Sequence, residues 1–368
     1  MVPQSQGQTF PEETPVIQKS EPLPLPQIFS HAFICHNVLF LPSLARGTEN
    51  LILHHPPHSI PQTRSNVPLL HTPASLTSPH LLHTLLIPFQ ALQAFTRLFD
   101  SHRHTEAQRV CNVAKNRFPH ILPAEHIRPS LHSVRNLDGS GGYINAVYTE
   151  RHGVKDGFIL TQHPLPETRA DFWALLHDHQ CVNVVNMSPP SKQVQNHTPF
   201  WPEEGFATYG PFVVELRSLT ISAHITEVHL ALCKLGQGTE REVNILQLDA
   251  WPMGAPVPPS PQPIIHMMQL VQEKQQSKKM SPIVITCWDG ASRSGLYCTA
   301  SNICHSIQVH QLVDVLQAAK TTRRSRPQAL STLDQYGFCY HLAQAYLHVD
   351  RTGAGDGSNI KTGQMEQP

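Results

Sequence analysis

Nothing in this chain tips its charge balance. Its 368 residues carry 27 lysines and arginines against 27 aspartates and glutamates, so no bulk field draws in a polyanion, and a nucleic-acid partner is not expected. The eight cysteines include no C-x-x-C pair, which argues against a structural zinc site. The 25 histidines fall in irregular groupings rather than at metal-ligand spacing; neither a metal nor another cofactor is expected. The first ten residues, MVPQSQGQTF, have no basic or apolar region of the secretory kind. Long apolar runs are missing too. The longest, Leu81 to Phe99, is interrupted by His83, Pro88, Gln90, Gln93 and Arg97. It falls short of the ~20 apolar residues a spanning helix needs. Scattered thiols without a leader point to a reducing, cytoplasmic compartment. One local departure from neutrality, Arg323, Arg324 and Arg326, reads as a solvated helix end.

Proline is what the chain has in excess, and it is unevenly spread. Of 33 prolines, 14 lie in the first hundred residues, among short aperiodic pieces such as LILHHPPHSIPQTRSNVPLLHTPASLTSPH. Residues 1–105 read as poorly ordered low-complexity sequence and 351–368 as a disordered tail. From residue 106 to 350 the texture is that of one folded unit. GGYINAVY, DGFILTQHP, CVNVVNM, GPFVVELRSL, ITEVHLALCKL, REVNILQLDAW and SPIVI predict strands. TRADFWALLHDH, capped by Thr168, predicts a helix. PQPIIHMMQLVQEKQQ predicts another, with Ile264, Met267, Met268 and Val271 on one face. GLYCTASNICHSI, QLVDVLQAAKTT and STLDQYGFCYHLAQAYL predict a helical C-terminal layer. Strands first and helices last give an α+β domain with a twisted mixed sheet flanked by helices.

The chemistry concentrates in SPIVITCWDGASRSGLYC, residues 281–298. An apolar strand leads into Cys287-Trp288-Asp289-Gly290-Ala291-Ser292-Arg293, and a helix starts near Ser294. Successive backbone N–H groups in such a loop form an anion-binding nest, and the helix N-terminus adds partial positive charge. A cysteine at the bottom of that nest is expected to have a lowered pKa and to act as a nucleophile. Arg293 supplies a planar fork for two phosphate oxygens, Gly290 permits the turn, and Ser294 can bond the sulfur. The bare C-x5-R spacing is weak, since a buried cysteine near a surface arginine gives it by chance. The preceding strand, the internal glycine, the Ser294-Gly295 pair and the following helix make a phosphate cradle the better reading.

Over roughly residues 111–349 the chain resembles a protein tyrosine phosphatase domain. The H-C-x5-R-[ST]-G signature stands as Thr286-Cys287 to Arg293-Ser294-Gly295. KNRF at 115–118 resembles the phosphotyrosine-recognition loop, GYINAVY the D-Y-I-N-A-S segment, and TQHPLPETRADFW the Q-x-P-L-x-x-T-x-x-D-F-W motif. FWP at 200–202, WPM at 251–253 and LDQYGFCY resemble Y-W-P, the mobile W-P-D acid loop and the Q-loop, with Gln335 in the place of the water-positioning glutamine. More narrowly, the pattern resembles the second, membrane-distal domain of receptor-type enzymes. The resemblance implies Cys287, Arg293 and Ser294 as catalytic groups. It implies a substrate site from Phe118, Trp288, Asp289, Gly290, Ala291, Ser292, Gly295 and Gln335. The partner would be a phosphotyrosine protein or peptide, or an active phosphatase domain, at the cytoplasmic face of a membrane.

Five positions depart from the family pattern. The acid-loop aspartate that protonates the leaving oxygen is Met253, and general acid catalysis is worth ~10²–10⁴-fold. Thr286 replaces the histidine before the cysteine, and His120 stands where an aspartate grips the peptide backbone. Trp288 and Asp289 occupy positions usually held by small residues. These departures predict a pseudophosphatase with a phosphotyrosine-binding or regulatory role. The alternative is a weakly active phosphatase using a Cys287 thiophosphate intermediate.

Overall fold

The computed structural model of the chain describes residues 39–40, 79–99, 103–134, 141–188, 199–276 and 280–353. Most of the segment expected to be poorly ordered, and the tail from 354 onward, lie outside the described residues. In chain order the elements are β1 (Leu39–Phe40), α1 (Pro79–Thr96), α2 (Val110–Val113), β2 (Ala146–Arg151), β3 (Val154–Gln162), α3 (Arg169–Asp178), β4 (Asn183–Asn186) and β5 (Phe206–Tyr209). There follow β6 (Phe212–Ile221), β7 (Ile225–Lys234), β8 (Glu240–Leu248), α4 (Gln262–Gln275), β9 (Ile283–Cys287), α5 (Ser292–His310), β10 (Leu312–Val313), α6 (Val315–Ser325) and α7 (Leu333–Gly353).

Eight strands form one mixed sheet in the order β2-β3-β9-β4-β8-β7-β6-β5. β9 pairs parallel with both β3 and β4, and β4 pairs parallel with β8. The other pairings are antiparallel. A strand inside a parallel set must be apolar on both faces, and β9 shows why IVIT had to be so. Ile283, Ile285 and Cys287 point into a core shared with α1, α4, α5, α6 and α7. Val284 points into a second core under α3, built on Phe172, Trp173 and Phe200. This is the α+β architecture the sequence predicts.

Four sequence expectations are corrected. First, order begins well before residue 106. α1 buries Leu85, Phe89 and Leu92, the last two in the first core, and Thr96 accepts a hydrogen bond from Arg323. Leu85, Phe89 and Leu92 recur at i, i+4 and i+7, which puts them on one helical face. Second, the basic cluster is not a solvated helix end. Arg324 is exposed, but Arg323 and Arg326 are buried at 3% and 0% exposure. Arg323 donates to the carbonyls of Ala329 and Leu330, and Arg326 to Asn145 Oδ1 and the Leu160 carbonyl. Buried cations demand such acceptors. Third, Thr168 does not cap α3. Its hydroxyl instead accepts from the Leu165 N–H at 2.9 Å. The predicted helix QLVDVLQAAKTT also starts late: Leu312–Val313 pairs with β1, and Asp314 caps α6 through the Gln317 N–H.

Candidate active site

The site forms where β9 ends and α5 begins. Cys287 is the last residue of β9, opposite Gln162 of β3, and is fully buried. The chain then turns at Gly290, whose φ is +69°. A Cβ here would stand 2.5 Å from the Gln162 nitrogen and 2.8 Å from the Thr161 carbonyl carbon, so the loop lies flat against β3 only because this residue is glycine. Gly295, one turn into α5, leaves room for Ala329, whose Cβ would meet an added one at 2.4 Å.

The N-terminus of α5 explains the direction of Asp289. Ala291 stands at the N-cap and has no side chain that can cap. The first N–H groups of the helix therefore need another acceptor. Asp289 provides it: its Oδ1 accepts from the N–H groups of Ala291 and Ser292, each at 2.9 Å. The same oxygen lies 3.1 Å from Cys287 Sγ, which donates to it. The nest that the sequence reserves for a phosphate thus holds the protein's own carboxylate, at the end of the helix where negative charge is favoured. Burial pulls the Asp289 carboxyl up, but the Ala291 and Ser292 N–H groups and the Cys287 thiol hold it below its ordinary value.

The expected low pKa of Cys287 is overturned by the same contact. Burial and the Asp289 charge push the thiol up to about 12, against the Ser294 hydroxyl, 3.2 Å from the sulfur, which favours the thiolate. At neutral pH this sulfur is a thiol, and the thiolate is the nucleophile. Thr286 is buried and, by alternation along β9, faces away from Cys287. Its Oγ1 has no hydrogen-bond partner, so it does nothing for the sulfur.

Arg293 is present but engaged elsewhere. Its two terminal nitrogens donate to the carbonyls of Met187 (3.2 Å), Trp251 (2.8 Å) and Pro252 (2.6 Å), and the guanidinium lies 4.5 Å from the Trp251 ring centre. The fork holds the acid loop by its backbone. Burial lowers its pKa to about 10, so it keeps its charge. The half-buried Met253 follows directly, and no residue from 250 to 261 carries a carboxyl or imidazole. Asp249 just before it is occupied, accepting from Thr226 and Gln247. Gln335 sits at the start of α7 with its amide nitrogen 3.5 Å from the Pro256 carbonyl and its Oε1 buried without a partner.

The recognition-loop residue Phe118 is half-buried, its ring 5.8 Å from that of His120. Its neighbour Arg117 was not singled out by sequence, although it belongs to the same KNRF motif. The Arg117 guanidinium lies 3.7 Å from the ring centre of Trp288 and donates to the His163 carbonyl, while its N–H donates to Gln162 Oε1. Trp288 is therefore fixed by a cation–π stack to the recognition loop. Cys287 and Asp289 are in contact on the loop, Arg293 reaches the carbonyls next to Met253, Thr286 faces away, and Phe118 and Gln335 lie on separate elements.

This geometry defines a cysteine–arginine phosphate-cradle domain. The model of the protein-tyrosine phosphatase family matches residues 112–345, and the chain belongs to that family. It is 33% identical over 264 residues to receptor-type tyrosine-protein phosphatase U of Gallus gallus, covering 70% of this chain and 18% of that protein. It is 29% identical over 237 residues to receptor-type tyrosine-protein phosphatase alpha of Mus musculus, covering 64% of this chain and 28% of the other. The chain thus spans under a third of the length of these relatives. The catalytic domain of human protein tyrosine phosphatase non-receptor type 18 superposes with a TM-score of 0.66 at 26% identity, over 73% of this chain and 98% of that one. Among the described residues, no helix is long and apolar enough to cross a membrane, and no group of three or more side chains could hold a metal ion.

Proposed function

We propose that this is a receptor-type phosphatase-like domain that has given up turnover and acts as a pseudophosphatase, a regulatory binding domain on the cytoplasmic side. The observation that carries this reading is the Asp289 carboxylate in the cradle, bonded to two loop N–H groups and to Cys287. A phosphoryl group entering there would meet a like charge and a protonated sulfur, and would find no carboxyl on the acid loop to protonate a leaving group of pKa ~10. The partner is then a protein recognised by the outer surface, such as an active phosphatase domain. Capture of phosphotyrosine would require Asp289 to swing out.

The weakly active alternative has one observation in its favour: Cys287 and Ser294 keep a 3.2 Å contact suited to stabilising a thiolate. Steady-state kinetics on an aryl phosphate and on a phosphotyrosine peptide separate the two, with Cys287→Ser as the blank. The pseudophosphatase reading expects no turnover above the blank at neutral pH. Turnover within tenfold of an ordinary tyrosine phosphatase, lost in Cys287→Ser, would falsify it.

A further inference from the structure

α1 has two apolar faces, and the domain covers one of them. Leu85, Phe89 and Leu92 are buried, with Arg323 of α6 over the Phe89 ring and Lys320 of α6 over the Phe95 ring. On the other side Ile87, Ala91 and Ala94 are exposed. Leu98, in the turn of 3₁₀ helix Arg97–Phe99 that continues α1, is exposed as well. Ile87 keeps 47% of its surface open and Leu98 71%, so these large apolar groups face water rather than a core.

The four exposed residues are not scattered. With 3.6 residues per turn they project within a sector about 60° wide. Their steps of four, three and four residues are those of a helix–helix seam. A water-facing stripe ordinarily carries polar side chains; here Gln90 and Arg97 stand only at its edge. From 79 to 99 the chain has no acid, no lysine and one arginine, Arg97, so the seam itself is free of charge.

The order along the seam is large, small, small, large, and it is the same from either end. Residues 87 and 98, like 91 and 94, lie at equal distances from a midpoint between Leu92 and Gln93. A second copy laid antiparallel about a two-fold axis through that midpoint sets Ile87 against the partner's Leu98 and Ala91 against the partner's Ala94, each contact occurring twice. The alanines let the helix axes come to the near end of the ~8–10 Å range, so that the larger side chains can interlock at both ends. Charge selects the same orientation. Arg97 and Lys320, which lies 5.5 Å from the Phe95 ring centre, make the C-terminal end of α1 cationic. Antiparallel packing keeps the two Arg97 side chains about 13 Å apart along the axis, whereas parallel packing would bring like charges together. The opposed helix dipoles also favour it. A contact of this isologous kind closes as a dimer. One helix face buries less than the ~1,200 Å² of a standard interface, so the pair is weak and reversible. We propose that α1 is a self-association surface on which a second copy of this chain docks, antiparallel, through Ile87, Ala91, Ala94 and Leu98.

Sedimentation velocity of the full chain, in a series reaching ~1 mM to cover weak pairs, should show a monomer–dimer equilibrium. Ile87→Glu and Leu98→Glu each bury an unpaired carboxylate in the seam and should weaken the dimer about tenfold or more. Neither should lower the Tm, because both positions are exposed in the single chain. The two-fold axis makes a sharper demand. Ile87→Glu combined with Leu98→Lys in one chain sets opposite charges across the axis twice, and should restore dimerisation to within about threefold of wild type. Ile87→Glu combined with Leu98→Glu should not. A wild-type chain that stays monomeric overturns the proposal, as does a dimer that is indifferent to Ile87→Glu or a charge pair that restores nothing. A lower Tm in Ile87→Glu overturns it too, since the stripe would then be covered by the same chain.

Discussion

An aspartate two residues after Cys287 alters the sulfur, the nest and the arginine's surroundings together. The Cys287 thiol, ordinarily ionising near 9, is pushed to about 12 by burial and then by Asp289. Between those values the folded state holds a proton that the unfolded state has lost. The contribution of this thiol to stability is therefore complete below pH ~9 and falls away as pH rises toward 12. Asp289→Ala removes the like charge and leaves the burial, so the titration midpoint of Cys287 should fall by roughly one unit or more. Thiolate absorbance of Asp289→Ala, read against Asp289→Ala/Cys287→Ser, measures it; an unchanged midpoint would show that burial alone sets the value. The same contact orders the rescue of catalysis. Met253→Asp with Thr286→His should gain little, because the nest stays filled. Adding Asp289→Ala should raise aryl phosphate turnover by ~10²-fold over the double variant. A double variant as fast as the triple would mean that Asp289 does not obstruct the cradle.

Among the elements, α1 is where packing and sequence pattern part company. Leu85, Phe89 and Leu92 are buried, Phe89 and Leu92 in the main core, and Phe89 lies 5.7 Å from Tyr336 of α7 and under Arg323 of α6. Phe89→Ala should cost about 3–5 kcal/mol in urea unfolding. A chain starting at residue 106 should be less stable than one starting at 79, and equal midpoints for the two would make α1 dispensable. The helix was hard to read because exposed Leu86 and Ile87 are as apolar as its buried face, and Pro88 sits in its middle. Strands were far more legible. β9 is apolar apart from Thr286 because both faces are buried, and β6 to β8 end at turn residues. Buried Arg323 and Arg326 were misread for a physical reason: arginine belongs at the surface unless the fold supplies acceptors, and theirs come from distant segments. At the site, residue identities were readable one by one. The inward turn of Asp289 was not, because it depends on the lack of a cap at Ala291.

For the molecule as a whole, the cradle and the acid loop are locked to each other by Arg293. Three of the five N–H groups of its guanidinium are donated to carbonyls around the loop, and the nest N–H groups of Ala291 and Ser292 are donated to Asp289. An oxyanion reaches the nest N–H groups only if Asp289 leaves them, so binding carries the cost of breaking those bonds. Charged hydrogen bonds are worth about 1.5–3 kcal/mol each, enough to remove most of the affinity that a free nest offers. A ligand stabilises a protein by RT ln(1 + [L]/Kd), so weak binding leaves the melting temperature where it was. Vanadate should therefore give the wild-type domain no shift that depends on Arg293. Asp289→Ala should acquire one, a rise of a few degrees at saturating vanadate, and Asp289→Ala/Arg293→Ala should lose it. A wild-type shift abolished by Arg293→Ala would show instead that the aspartate yields to an incoming oxyanion and that the cradle still serves as a phosphate site.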